Sequence, residues 1–223
     1  MTIWFASGNA GKKKELVSIL DNAILADAGG YELRIPKDEG LDFDPEETGD
    51  TFHANALLKA GELYSLLNRH NPPLFKLGDV IIADDSGICV DALDGRPGLH
   101  SAYYAGSGKW VKNLTAAERN NLLLEELVGK PHRTARFICS MVLLYSPDRF
   151  FITQETLEGE IVKGPEYVKG TAGFGYDPIF FIPEFGRTVA ELSENEKNTI
   201  SHRAKAGKVI ANILNYAKTE HQS

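Results

Sequence analysis

The sequence predicts an α/β fold: a mixed central β-sheet flanked by helices, arranged as two lobes with an active-site cleft between them. Three observations lead there. The chain opens as strand, glycine turn and helix. Two long strand-like runs, 134–145 and 150–161, follow one another with only Ser146-Pro147-Asp148-Arg149 between them. Strand-like and helix-like segments otherwise mix without the strict alternation of a pure doubly wound fold. With 223 residues, 43% of them hydrophobic, the chain can bury one large core or two small ones, and 1–223 is expected to be a single domain of two lobes.

In order, residues 2–6 read as a strand, Ser7-Gly8-Asn9-Ala10-Gly11-Lys12 as a turn, and about 13–20 as a helix with Leu16, Ile19 and Leu20 on one side. Residues 38–50 form an acidic loop carrying seven carboxylates, in which Thr48 or Asp50 can cap the next helix. That helix is marked by Phe52, Ala56, Ala60, Leu63 and Leu67, ends near Asn71-Pro72-Pro73, and places Asn55 and Lys59 on one face. The apolar run Val80-Ile81-Ile82 leads a strand through Asp84, and a second follows over 87–91. After the link Asp94-Gly95-Arg96-Pro97-Gly98, Thr115 and Glu118 form a capping box for a helix that stops at Gly129. Both faces of the 134–145 run are apolar, which makes it a central strand. A glycine-rich, aromatic loop covers 170–183, and Ala206, Val209, Ile210, Ile213 and Leu214 mark a C-terminal helix.

Composition narrows the function. A formal charge of −7 with no long basic run argues against a nucleic-acid surface. Neither a basic leader nor a run long enough to span a membrane is present, so a cytoplasmic protein without membrane partners is expected. Cys89 and Cys139 read as buried thiols, with no disulfide framework and no Cys-x-x-Cys metal pair.

Three segments carry chemistry. Asp84 and Asp85, in Ala83-Asp84-Asp85-Ser86-Gly87, arrive at the end of a buried strand, where adjacent like charges need a partner. A bound cation would make the pair a metal-and-base station; an Asx turn in which Asp85 and Ser86 bond the backbone fits the pentapeptide equally well. The 7–12 turn places two glycines and Lys12 at a helix N-terminus, a seat for phosphate, and is not a Walker A loop because Lys13 stands where a Ser or Thr metal ligand is required. An ordinary βα turn fits it too. Gly173-Phe174-Gly175-Tyr176-Asp177-Pro178 can present a ring to a flat ligand, or form a tight turn whose Phe174 belongs to the core. Glu46 and Glu47 are either solvated surface or a held metal ligand. Lys197 with Ser201-His202-Arg203 forms a basic cluster that is either structural or a contact for phosphate or a purine oxygen.

Together and in this order, Ser-Gly-Asn-Ala-Gly-Lys, Glu-Glu-Thr-Gly before Asn55 and Lys59, Ala-Asp-Asp-Ser-Gly, Gly-Phe-Gly-Tyr-Asp-Pro, and Lys197 with Ser-His-Arg resemble the inosine triphosphate pyrophosphatase family, from about residue 2 to about residue 216. The resemblance implies Mg²⁺-dependent hydrolysis of the purine triphosphates dITP, ITP and XTP to a monophosphate and pyrophosphate, cleansing the nucleotide pool, by a likeness that also implies a homodimer. It implies that Ser7, Gly8, Asn9, Ala10, Gly11 and Lys12 hold the triphosphate, that Glu47 and Asp85 bind or organise Mg²⁺, and that Asp85 accepts the proton of the attacking water. Lys59 and Ser86 would lie on the phosphates, Phe174, Gly175, Tyr176 and Asp177 would form the base platform, and Lys197, His202 and Arg203 would complete the nucleotide contacts. The chain departs from the family at Ser101-Ala102-Tyr103-Tyr104, where members often carry Ser-Ala-Arg-Tyr, and in the segment 106–111. Two other readings compete: a nucleotide-sensing protein that binds without turnover, and a pyrophosphatase of different base preference.

Overall fold

Alternate residues of a strand face opposite sides of a sheet, so a strand buried on both sides must be apolar throughout. Val80-Ile81-Ile82-Ala83 meets that condition, and so does most of the 134–146 run. In the computed structural model, which describes residues 1–24 and 30–219, the elements run β1 (Thr2–Phe5), α1 (Ala10–Ala23), β2 (Glu32–Arg34), α2 (Phe52–Arg69), β3 (Val80–Val90), α3 (Ala116–Glu126), β4 (Thr134–Ser146), β5 (Arg149–Ile161), β6 (Phe180–Ile182), β7 (Arg187–Thr188), α4 (Glu194–Ile200) and α5 (His202–Thr219). Among the described residues the strands form one mixed sheet in the order β2-β1-β3-β4-β5-β6-β7, with β4 in the middle as its two apolar faces predict. β1 pairs in parallel with β2 and β3, while β6 is antiparallel to β5 and β7.

The chain divides into two compact units, each assembled from separated stretches of sequence. One comprises Met1–Asp85, Cys139–Glu155 and the stretch from Arg203 on; the other comprises Ser86–Ile138 and Thr156–His202.

In the first unit, Ile3, Phe5, Val80, Ile82, Met141 and Leu143 line one face with Leu16 and Leu20 of α1 and Ala206, Ile210 and Leu214 of α5. Trp4, Ile81, Ala83, Val142 and Leu144 line the other with Ala56, Ala60, Leu63 and Leu67 of α2. The spacing at each contact is the i, i+3 and i, i+4 helical period read from the sequence. Val209, expected on the α5 stripe, is instead 37% exposed, because Ala206 and Ile210 already fill the contact. α1 begins earlier than its apolar stripe, at Ala10, since the Asn9 side chain accepts Lys12 N at 3.1 Å and caps it. α2 is capped by Thr51, whose Oγ1 accepts Ala54 N at 3.2 Å, and not by Thr48 or Asp50.

The second unit packs Ile88, Val90, Leu123, Leu127, Phe137, Leu157, Ile179 and Phe180 into its own core. The capping box of α3 forms as predicted: Thr115 Oγ1 accepts Glu118 N at 3.2 Å and Glu118 Oε2 accepts Thr115 N at 2.7 Å. β6 and β7, of three and two residues, lie within and beyond what reads as a loop, too short to show a period of two. β3 runs unbroken from Val80 to Val90, which rules out the turn expected between 84 and 87. Cys139 is fully buried and its thiol is pushed up to about 12 by that burial, whereas Cys89, also expected inside, is half-buried.

Candidate active site

Two adjacent residues of a strand cannot serve one site together unless the strand bulges, because their side chains leave opposite faces. Asp84 and Asp85 obey this rule. Asp84 is 1% exposed and belongs to the face of α1 and α5. Its Oδ2 accepts Lys12 Nζ at 3.0 Å, Arg203 Nε at 3.3 Å and Arg203 Nη2 at 3.1 Å. Arg203 Nη1 in turn donates to Glu15 Oε2 at 2.6 Å. Burial alone would raise the Asp84 pKa, but the Lys12 and Arg203 charges more than offset it and hold the carboxyl well below its ordinary range. A fully buried carboxylate thus faces two cations, and the half-buried Glu15 carboxylate holds the guanidinium from its other side. The expectation that the aspartate pair forms one metal-and-base station is corrected: Asp84 is an anchor for Lys12 and Arg203.

Asp85 faces α2. Its Oδ1 accepts Lys59 Nζ at 3.0 Å and its Oδ2 accepts Asn55 Nδ2 at 3.3 Å. Lys59 also donates to Glu47 Oε1 at 2.7 Å, so the same ammonium joins the two carboxylates. The shared helix face read from the 55/59 spacing is what brings both partners to Asp85. Asn55 does a second task, accepting Gly49 N on its Oδ1 at 2.7 Å and so tying the acidic loop to the strand. A Cβ on residue 49 would come within 2.7 Å of that same oxygen, which is why glycine stands there. Burial raises the Asp85 pKa; Lys59 opposes the rise and the Glu47 charge adds to it, leaving the carboxyl above its ordinary value. Burial alone would lower Lys59, yet Asp85, Asp84 and Glu47 keep it raised and therefore charged. The first turn of α1 follows Ser7, whose Oγ accepts Asn9 N at 3.2 Å, and Gly8, Asn9, Ala10 and Gly11 are all exposed with their backbone at the helix N-terminus.

Among the described residues no three His, Cys, Asp or Glu side chains gather where they could hold a metal by themselves. Mg²⁺ takes only one or two protein carboxylates and completes its shell with water and phosphate oxygens. Glu47 and Asp85 fit that demand, since their oxygens converge on one cation, the Lys59 ammonium.

The second group lies on the loop before β6. Phe174 is 39% exposed, with Lys197 Nζ 4.9 Å from its ring centroid. Asp177, 4% exposed, accepts Phe174 N at 2.8 Å and Lys197 Nζ at 2.9 Å on the same Oδ2. Gly173 has φ +77°, and a Cβ there would lie 2.0 Å from that oxygen, so the turn closes only over glycine. Asp177 therefore fixes the loop from inside, where the sequence reading set it at a ligand's edge. Tyr176 is likewise internal: it is 5% exposed and its hydroxyl donates to Ser101 O at 2.7 Å. Of the four residues expected as a platform, Phe174 alone offers a large exposed face. His202 stacks on Phe137 with centroids 4.9 Å apart and planes 12° apart. Ser86 is a half-buried residue of β3. In the divergent segment, Tyr104 is buried with its hydroxyl on Glu126, and Trp110 packs on His100 at 4.3 Å.

A sequence model of the Ham1 family matches residues 3–213. The chain belongs to the Ham1 family. Among its Ham1-like relatives, it is 46% identical to a dITP/XTP pyrophosphatase of Treponema denticola over 207 residues, 92% of this chain and 94% of that one. To a dITP/XTP pyrophosphatase of Geobacillus kaustophilus it is 42% identical over 206 residues, 92% and 89% of the two chains. The fold resembles the solved Ham1 protein of Staphylococcus aureus, with a TM-score of 0.77 at 34% identity over 96% of this chain and 98% of that one. A Ham1 protein from Coxiella burnetii gives the same TM-score at 35% identity and the same coverage. The sequence reading placed Asn55 on the face of Lys59 but gave it no role in the site, and it missed Glu15 altogether, because the partner of Glu15 is 188 residues away.

Proposed function

We propose that the protein is a nucleoside-triphosphate pyrophosphatase acting on dITP, ITP and XTP, releasing the monophosphate and pyrophosphate. The observation that carries this is Asp85: a buried carboxylate with a raised pKa, fixed by Lys59 and Asn55, in a family whose relatives are named dITP/XTP pyrophosphatases. A carboxylate whose pKa is raised accepts a proton from water more readily than an ordinary one, and so suits a general base. The exposed N–H groups at the start of α1, with Lys12, take the triphosphate, and Lys59 neutralises charge on the departing pyrophosphate. Glu47 and Asp85 would hold Mg²⁺, which when bound draws negative charge from the phosphate oxygens. Phe174 stacks on the base, and a 6-oxo purine is chosen by donors that a 6-amino group would leave unpaired.

Arg203 contributes to this reading through Asp84 and Lys12, where its guanidinium is engaged, while Lys197 and His202 remain the candidates for directional contacts. A homodimer and a cytoplasmic location belong to the same proposal. Exposed Phe150, Phe151 and Ile152 on β5 support the first, and the second is compatible with the finding that no described helix is long and apolar enough to cross a membrane.

The test is a panel of dITP, ITP, XTP, GTP and ATP with excess Mg²⁺ and identification of the products. Pyrophosphate with monophosphate from the first three supports the reading. Binding without product, product only from the ordinary triphosphates, or orthophosphate release would each reject it, as would undiminished turnover after chelation reject the Mg²⁺ role.

A further inference from the structure

Asn120 lies on α3, outside every motif discussed above. It is 5% exposed, and its Nδ2 donates to Gly175 O at 3.2 Å. Its Oδ1 is buried without a hydrogen-bond partner. A half-satisfied amide in such a place costs more than an apolar residue of the same size, so the one bond it makes must account for its presence. That bond ends on the residue after Phe174.

The loop it reaches is held from inside by Asp177 and Tyr176, but on the side facing α3 it borders open space. A cavity of about 350 Å³ is lined on one side by Ala116, Ala117 and Asn120 of α3 and on the other by the loop itself, including Gly173, Phe174 and Gly175. Asp177 takes the Phe174 N–H, which fixes the turn internally but not its distance from α3. Asn120 spans to the loop at the edge of that cavity. Without the amide the glycine-rich segment has room to sink toward the helix and to turn the ring away from its present exposure.

We propose that Asn120 is a positioning residue that sets the height and tilt of the Phe174 ring, and through it the affinity for the purine of the substrate. This rests on the reading of Phe174 as the base platform, and it deepens that reading without touching the phosphate chemistry.

The experiment is a double-mutant cycle on the intact protein with dITP and XTP as substrates. Asn120→Ala and Asn120→Asp both remove the donor, the second nearly isosterically; each should raise KM about 3- to 10-fold, the range of one neutral hydrogen bond, with kcat held within about 2-fold. Inhibition by inorganic pyrophosphate, which has no base, should not change. In a Phe174→Ala background the same substitutions should add nothing further to KM, because the ring through which they act is gone. A fall in kcat at unchanged KM in both Asn120 variants would show a merely structural role and overturn the proposal. So would additive effects in the Phe174→Ala background, or equal weakening of pyrophosphate inhibition. If Phe174→Ala itself leaves KM unchanged, the base-platform reading fails and the role of Asn120 fails with it; if Phe174→Ala raises KM and the Asn120 variants do not, Asn120 alone is refuted.

Discussion

The residues around Asp84 and Asp85 and those around Phe174 are built on opposite principles. The first region is held mainly by charge: Lys12 and Arg203 pair with Asp84, Glu15 backs Arg203, and Lys59, itself shared with Glu47, pairs with Asp85 beside the Asn55 amide, within the layers of a two-faced core. In the second, a loop of glycines in left-handed conformation carries an exposed ring beside a cavity, with Asp177, Lys197 and Asn120 as its stays. Charge placed in a rigid, low-dielectric frame needs no reorganisation when a reaction moves charge, which is the requirement for phosphoryl chemistry. A ring on a loop needs only to meet a flat surface. The difference implies that the first region should fail in rate and stability, and the second in affinity.

Asp85→Asn tests the extreme of the first class. The amide keeps the shape and the contact with Lys59 but cannot take a proton, so kcat should fall ~10²–10⁴-fold while nucleotide binding, measured by calorimetry, survives. Retention of most of kcat would move the base elsewhere, with Glu47 next in line.

Asp84→Asn should cost stability in place of chemistry, about 3–5 kcal/mol in urea unfolding, because the buried Arg203 guanidinium, with the half-buried Lys12 ammonium beside it, would then face an uncharged amide. The sign of the pH dependence follows from the lowered pKa. The folded carboxyl titrates below the unfolded one, so its contribution is fully present above the ordinary aspartate value and is lost as pH falls toward the folded value. The stability gap between wild type and variant should therefore be constant from neutrality down to about pH 5 and narrow only below that. A gap that closed near neutrality would mean the carboxyl is not held ionised by its neighbours.

Gly49→Ala probes the seam between loop and strand. The added methyl meets Asn55 Oδ1, and displacement of that amide should release both the acidic loop and Asp85, costing about 1–3 kcal/mol and lowering activity through Glu47. An unchanged melting curve with unchanged activity would show that the Asn55 tie is dispensable.

Phe174→Ala should have the smallest effect on folding and a selective one on function. Loss of stacking should raise KM by an equivalent of about 1–3 kcal/mol, nearly equally for dITP, XTP and residual GTP activity, since all purines offer a similar face. Steady-state kinetics on the three substrates decides it. A changed ratio among substrates would transfer part of the selection from directional contacts to the ring.

Where sequence reading succeeded, the signal was local or periodic. The helical stripe of α2 and the twin apolar faces of β4 are periods that survive in any fold, and Thr115 with Glu118 forms its capping box within one turn. Motif order over most of the chain was sufficient to place it beside the triphosphate pyrophosphatases. The site was legible as residue types but not as roles. Nothing in Asp84-Asp85 states that the two face opposite ways until the segment is known to be an uninterrupted strand, because the turn and strand readings of Asp-Ser-Gly differ only in what satisfies the carboxylates. Here those partners are Lys12, Lys59 and Arg203, up to 119 residues distant, and with the side chains satisfied the backbone can remain extended.

The amino-acid sequence by itself determined the layer architecture, the central strand, the capping box of α3 and the set of chemically able residues, since each depends on neighbours within a few positions. The division of labour was decided by tertiary structure alone: Asp84 as anchor and Asp85 as candidate base, Asp177 and Tyr176 as supports inside the Phe174 loop with Asn120 bonding that loop from α3, and Arg203 as the counter-charge of a buried carboxylate. The physical reason is that a buried charge or amide is defined by the groups that desolvate and satisfy it. Those groups arrive from distant parts of the chain only when the sheet and its helices close around them.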